Sequence, residues 1–126
     1  MIKFLQHALL ALTVSITPAI AANIPFDQAN FESLLKQGKP VVLHIHADWC
    51  PTCRAQQAVL DDLLPLAEYK DIPVLRANFD NEKALLRTYK VRQQSTFIIF
   101  KNGKEITRST GETDSTRIAA LLNMAK

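Results

Sequence analysis

Two cysteines, Cys50 and Cys53, stand with only Pro51 and Thr52 between them, and the 126-residue chain has no others. Thiols at this spacing either close into a disulfide that opens again or supply half of a metal site. As a structural staple the pair is poor. A four-residue ring constrains the unfolded chain by only about 2 kcal/mol, near the low end for disulfides. Reactivity is the better reason for its presence. The working species is the thiolate, and an ordinary cysteine is mostly protonated at neutral pH.

A sulfur of this kind needs a backbone that holds it and stabilises its charge. Residues 41–47 (VVLHIHA) are apolar and β-branched, as in a central strand covered on both faces. From Cys50 to about Tyr69 the composition is that of a long helix, with Ala55, Ala58, Val59, Leu63 and Leu66 available for its buried face. Pro51 suits the first turn, and Pro65 should kink or end the helix. Cys50 therefore falls where strand gives way to helix, beside unpaired N–H groups and the positive end of the dipole. Cys53 lies one turn inside, on the same face. This asymmetry predicts Cys50 as the exposed attacking thiolate and Cys53 as the resolving thiol. Trp49 flanks the sulfur and shapes the approach of a partner chain.

The remaining pattern predicts an edge strand at 24–26, a helix at 27–37 capped by Asp27 or Asn30, and a second parallel strand at 72–79. A short helix at 81–90 follows, capped by Asp80 or Asn81. Strands at 95–101 and 104–109 then join through Asn102-Gly103, a type I′ hairpin signal, and a helix at 113–124 closes the chain. The order (β)αβαβαββα describes an α/β domain, a mixed sheet with helices on both faces, over residues 22–126. Residues 1–21 read as a signal peptide: Lys3, an apolar stretch at 8–16, a break at Thr17-Pro18 and a small-x-small site at Ala19-Ile20-Ala21. The alternative is an uncleaved anchor, but the apolar stretch is far shorter than the ~20 residues of a span. Export predicts a periplasmic or secreted protein in an oxidising compartment. A net charge of +3, without a basic run interleaved with aromatics, argues against nucleic-acid binding.

Trp49-Cys50-Pro51-Thr52-Cys53 after a buried strand, with Lys101-Asn102-Gly103-Lys104 downstream, resembles thioredoxin. The likeness spans nearly the whole of residues 24–126 and implies a thioredoxin-like fold and a redox-active Cys50–Cys53 disulfide. Pro51-Thr52 is similar to the dipeptide of periplasmic thioredoxin-like proteins of cytochrome c maturation. Three positions depart from the family pattern. Ser95 stands at the family's cis-proline, and because a cis bond before a non-proline costs about 2.5–4 kcal/mol, a trans Gln94–Ser95 peptide is expected. The change either alters the substrate loop and its metal exclusion, or is tolerated with a similar loop shape. His44 stands where thioredoxins bury an aspartate beneath the second cysteine. It either takes the resolving thiol's proton or is a neutral core histidine. His46 replaces an aromatic residue. His44 and His46 are expected on opposite faces of the sheet, which would keep them from joining the cysteines in a zinc site. Arg76 replaces a family lysine near the buried acid.

The resemblance implies a thiol–disulfide oxidoreductase acting on protein disulfides or thiols, as a reductant if the Pro-Thr likeness holds. It needs no cofactor or metal and works as a monomer. A reductant in an oxidising compartment needs electrons, so a membrane thiol donor is an implied partner. The competing reading is a non-catalytic binding module that uses the Ser95 loop for metal or partner docking.

Overall fold

In the computed structural model, residues 23–126 are described, and the expected signal segment lies outside them. Strand β2 (Val41–His46) runs through the middle of a five-stranded sheet in the order β1-β3-β2-β4-β5. It pairs in parallel with β3 (Val74–Asn78) and antiparallel with β4 (Thr96–Lys101). Short β1 (Asn23–Pro25) and β5 (Lys104–Thr110) form the edges. The helices are α1 (Gln28–Lys36), α2 (Pro51–Leu63), α3 (Lys83–Thr88) and α4 (Ser115–Met124). The order is the expected one.

Alternation along β2 separates two cores. Val41, Leu43 and Ile45 pack with Phe31 of α1 and with Leu85 and Leu86 of α3. Val42 belongs to the opposite cluster with Leu60 of α2 and Ile118 and Leu122 of α4. His44 and His46 share this second face. Two residues apart on a strand, their side chains point the same way, and the rings meet edge to face with centroids 5.4 Å apart. The expectation of opposite faces was wrong, because strand periodicity is two.

Local chemistry sets the element ends. Asp27 caps α1 by accepting from the Asn30 N–H, and Asp114 caps α4 through the Arg117 N–H. Neither Asp80 nor Asn81 caps α3. Its N-cap is Glu82 with no side-chain bond, while the Asn78 carboxamide oxygen takes the Asp80 and Asn81 N–H groups in a tight turn. Helix α2 stops at Leu63 rather than near Tyr69, since Pro65 lacks an N–H and disfavours helix in the residue before it. Its buried stripe is Cys53, Gln56 and Leu60, not Ala55 and Ala58, which face solvent. At the hairpin both Asn102 (φ 53) and Gly103 (φ 77) are left-handed, as a type I′ turn requires. A Cβ on Gly103 would crowd the Leu35 carbonyl at 3.3 Å.

Candidate active site

Cys50 is the N-cap of α2. With φ −89 and ψ 114 it is still extended, and its sulfur accepts the Cys53 N–H at 3.1 Å. Pro51 occupies the first helical turn, where a missing N–H costs nothing. The reactive sulfur therefore replaces the side-chain oxygen that usually caps a helix, and the dipole favours its anionic form. Burial works against that form. Hydrogen bonds from the Cys53 side chain and backbone, Gln94 and Ser95 outweigh it and hold the Cys50 thiol below its ordinary pKa. Burial, reinforced by the bond to Cys50, pushes Cys53 up to about 11. The two thiols are displaced in opposite directions.

Cys50 is not the exposed sulfur the sequence suggested: it is 3% accessible, and Phe79 packs against it together with Ala47 and Cys53. Both cysteines are free thiols. Trp49 is 58% accessible, its indole N–H donating to Asp80 at 2.8 Å. Thr52 is half-buried and Pro51 exposed.

No cis peptide occurs among the described residues, so Gln94–Ser95 is trans. The loop reaches the sulfurs by another device: Ser95 adopts φ 56, a left-handed conformation that costs a non-glycine residue about 1–2 kcal/mol. Such a conformation persists where its surroundings over-determine it. Here the Ser95 carbonyl accepts both the Gly111 N–H at 2.9 Å and a Gln56 amide N–H at 3.0 Å. The Ser95 hydroxyl donates to the Gln94 carbonyl at 2.7 Å.

Gln56 was missed in the sequence. It is fully buried, and its amide donates to the Ser95 and Glu112 carbonyls at 3.0 and 2.9 Å. With both donors committed, its oxygen faces His44 Nε2 at 2.9 Å. That atom must then be the donor, which fixes the neutral His44 tautomer and leaves Nδ1 as a buried acceptor without a partner. The signal was present: Gln56 lies at i+3 from Cys53, in line with Leu60, so a polar residue interrupts the buried stripe.

His44 stacks on Phe97 at 4.7 Å. Burial is the main reason its pKa falls to about 4; the Gln56 bond opposes this, and His46 and Arg76 add to it. It is a neutral core histidine bonded to a side chain rather than to backbone. His46 Nε2 lies 3.0 Å from an Asp48 carboxylate oxygen. Arg76 pairs with His44 across the β2–β3 register. Because that position holds no acid, its charge acts against histidine protonation rather than forming an ion pair. Among the described residues no three of His, Cys, Asp and Glu gather into a metal site.

A low-pKa sulfur capping a helix, a buried partner sulfur one turn on and a strand-end loop against both define a protein built for thiol–disulfide exchange. The thioredoxin family model matches residues 22–124. Thioredoxin from Chlamydia pneumoniae is 32% identical over 94 residues, covering 75% of this chain and 89% of the relative. Thioredoxin from Haemophilus influenzae is 30% identical over 98 residues, covering 77% and 91%. The crystal structure of Trxlp from Edwardsiella tarda EIB202 superposes with a TM-score of 0.74 at 39% identity, covering 78% of this chain and 95% of that one. The chain belongs to the thioredoxin family, with the five-stranded α/β fold and the thiol–disulfide oxidoreductase activity of that family.

Proposed function

We propose that this protein is an exported reductant of protein disulfides that uses Cys50 as nucleophile and Cys53 as resolving thiol. The observation that carries the assignment is the capping contact, the Cys53 N–H on the Cys50 sulfur at 3.1 Å, with the opposite pKa displacements of the two thiols. The Cys50 thiolate attacks one sulfur of a substrate disulfide. The substrate S–S bond breaks, and the departing thiolate takes a proton from solvent. Cys53 then loses its proton and attacks the Cys50 sulfur, releasing the second substrate thiol and leaving a Cys50–Cys53 disulfide. Two electrons pass to the substrate. A dithiol donor at the membrane reverses the sequence and restores the reduced pair.

His44 takes no proton in this scheme. An imidazole with a pKa near 4 is a weak acceptor for a thiol near 11. The direction of electron flow rests on the Pro51-Thr52 likeness to reducing periplasmic proteins, and the location on the character of residues 1–21. The test is insulin reduction driven by dithiothreitol, with a redox titration against glutathione. Catalysed precipitation and a potential near the −270 mV of thioredoxin are expected. No rate above background would sink the catalytic assignment, and a potential near −120 mV would reverse the direction. Fractionation of the native host tests export, and light scattering tests the monomer.

A further inference from the structure

Charge is unevenly distributed around the sulfurs. Residues 83–104 contain six lysines and arginines and no acid, although the whole chain carries only +3. Four of these cations, Lys83, Arg87, Lys90 and Arg92, are exposed and lie on α3 and the loop that follows it. None of the four is in an ion pair among the described residues. They line a groove whose apolar floor is Phe79, Leu86 and Val91, and no carboxylate lines it. A second groove continues past Lys90 and Arg92 to Gln93, again without an acidic lining residue.

Both grooves lead to the active site. Phe79 is in the first groove and also packs against the small cluster of Ala47, Cys50 and Cys53. Gln93 is in the second, two residues before Ser95, whose carbonyl is tied to Gln56 of the helix that carries the cysteines. A chain whose disulfide reaches Cys50 can therefore lay its flank along Lys83, Arg87, Lys90 and Arg92. Around Trp49 the sign changes. Asp80 holds Trp49, and Asp48 is exposed beside it, with Arg54 bonded to the Asp48 carbonyl, so that side has no cationic excess. A long anionic polymer or a charged membrane would meet this acidic end. A protein segment with acids on one side of its cysteine would not.

We propose that the α3 groove is a docking surface for protein substrates carrying several carboxylates beside the disulfide that Cys50 attacks. The proposal rests on the oxidoreductase reading of Cys50. Charge complementarity raises encounter rates between about 10-fold and 10³-fold, and salt removes the gain. The surface therefore selects substrates by association rate, leaving the chemistry at the sulfur unchanged.

The experiment uses the reduced full-length chain and two peptides, each closed by one disulfide and flanked on one side by glutamates or by lysines. Each exchange rate is divided by that of the same peptide with dithiothreitol, which removes intrinsic differences in disulfide reactivity. At low salt the normalised rate should favour the glutamate peptide by about tenfold. The preference should vanish in about 1 M salt, where the Debye length is ~3 Å. It should also vanish in the Arg87→Glu/Arg92→Glu variant, which should still reduce hydroxyethyl disulfide at the wild-type rate. Equal rates for the two peptides at low salt, or a preference that survives in the variant, overturns the proposal while leaving the oxidoreductase reading intact. A ratio near one together with variant-sensitive binding of an oligonucleotide or of anionic vesicles overturns it in favour of those partners. No exchange with either peptide or with hydroxyethyl disulfide overturns the reading beneath it as well.

Discussion

Replacing Gln56 by leucine tests whether a buried amide sets the properties of the nucleophile. The substitution keeps the volume and removes three contacts at 2.9, 3.0 and 2.9 Å, to His44, Ser95 and Glu112. The losses are unequal. Ser95 keeps the Gly111 N–H on its carbonyl, and the half-buried Glu112 can meet water. His44 has no such relief: Nδ1 is already unpartnered, so either neutral tautomer leaves a buried ring N–H unsatisfied, at a cost of about 1–3 kcal/mol. Added apolar burial returns about 1 kcal/mol. Counting the weakened loop contacts, a net loss of about 2 kcal/mol is expected, which lowers a urea midpoint by about 1 M. The functional effect runs through Ser95, whose φ of 56 then has one support fewer. As the loop relaxes, Gln94 and Ser95 withdraw from the Cys50 sulfur and its pKa rises. Ultraviolet thiolate absorbance against pH measures that rise. Lost stability with an unchanged Cys50 titration would refute the link between amide and nucleophile, and no change in either would refute the network altogether.

His44 gives stability a pH dependence. Its folded pKa is about 4 against 6.5 ordinarily, so between those values the unfolded chain binds a proton that the folded chain does not. Stability is undiminished above 6.5 and falls as pH drops towards 4, by about 3 kcal/mol in all, and urea unfolding of wild type against His44→Leu should show a flatter slope for the variant in that window. Ser95→Pro cannot keep φ 56, because the proline ring holds φ near −65°, and it removes the N–H that Ser95 directs at Cys53. The loop must move and the Cys53 thiol must titrate higher still; wild-type titration of both thiols would contradict this. Leu60→Ala, in the fully buried stripe of α2, should cost about 2–5 kcal/mol while leaving the Cys50 titration unchanged.

Element order was legible because its signals are local: the β-branched apolar run at 41–47, a cap at Asp27, and a left-handed pair at Asn102-Gly103. The Cys50 environment was half legible. Strand end, Pro51 and helix start implied the capped sulfur, but its burial depends on Phe79 and the Ser95 loop, which approach from distant segments. The α2 face was misjudged because alanines were counted as core. The stripe passes instead through a glutamine whose partners are 12, 39 and 56 residues away. No local pattern encodes such partners. Ser95 was noticed as a departure, while its left-handed backbone follows from carbonyl contacts that only the assembled fold supplies.

The account turns on which sulfur attacks, and trapping decides that most directly. Reduced Cys53→Ser and Cys50→Ser variants are each mixed with a disulfide-containing protein, and adducts are read by mass spectrometry. Cys53→Ser should accumulate a mixed disulfide on Cys50, while Cys50→Ser, left with a thiol that burial still pushes up, should accumulate none. Adducts on Cys53, or none on Cys50, would contradict the assignment.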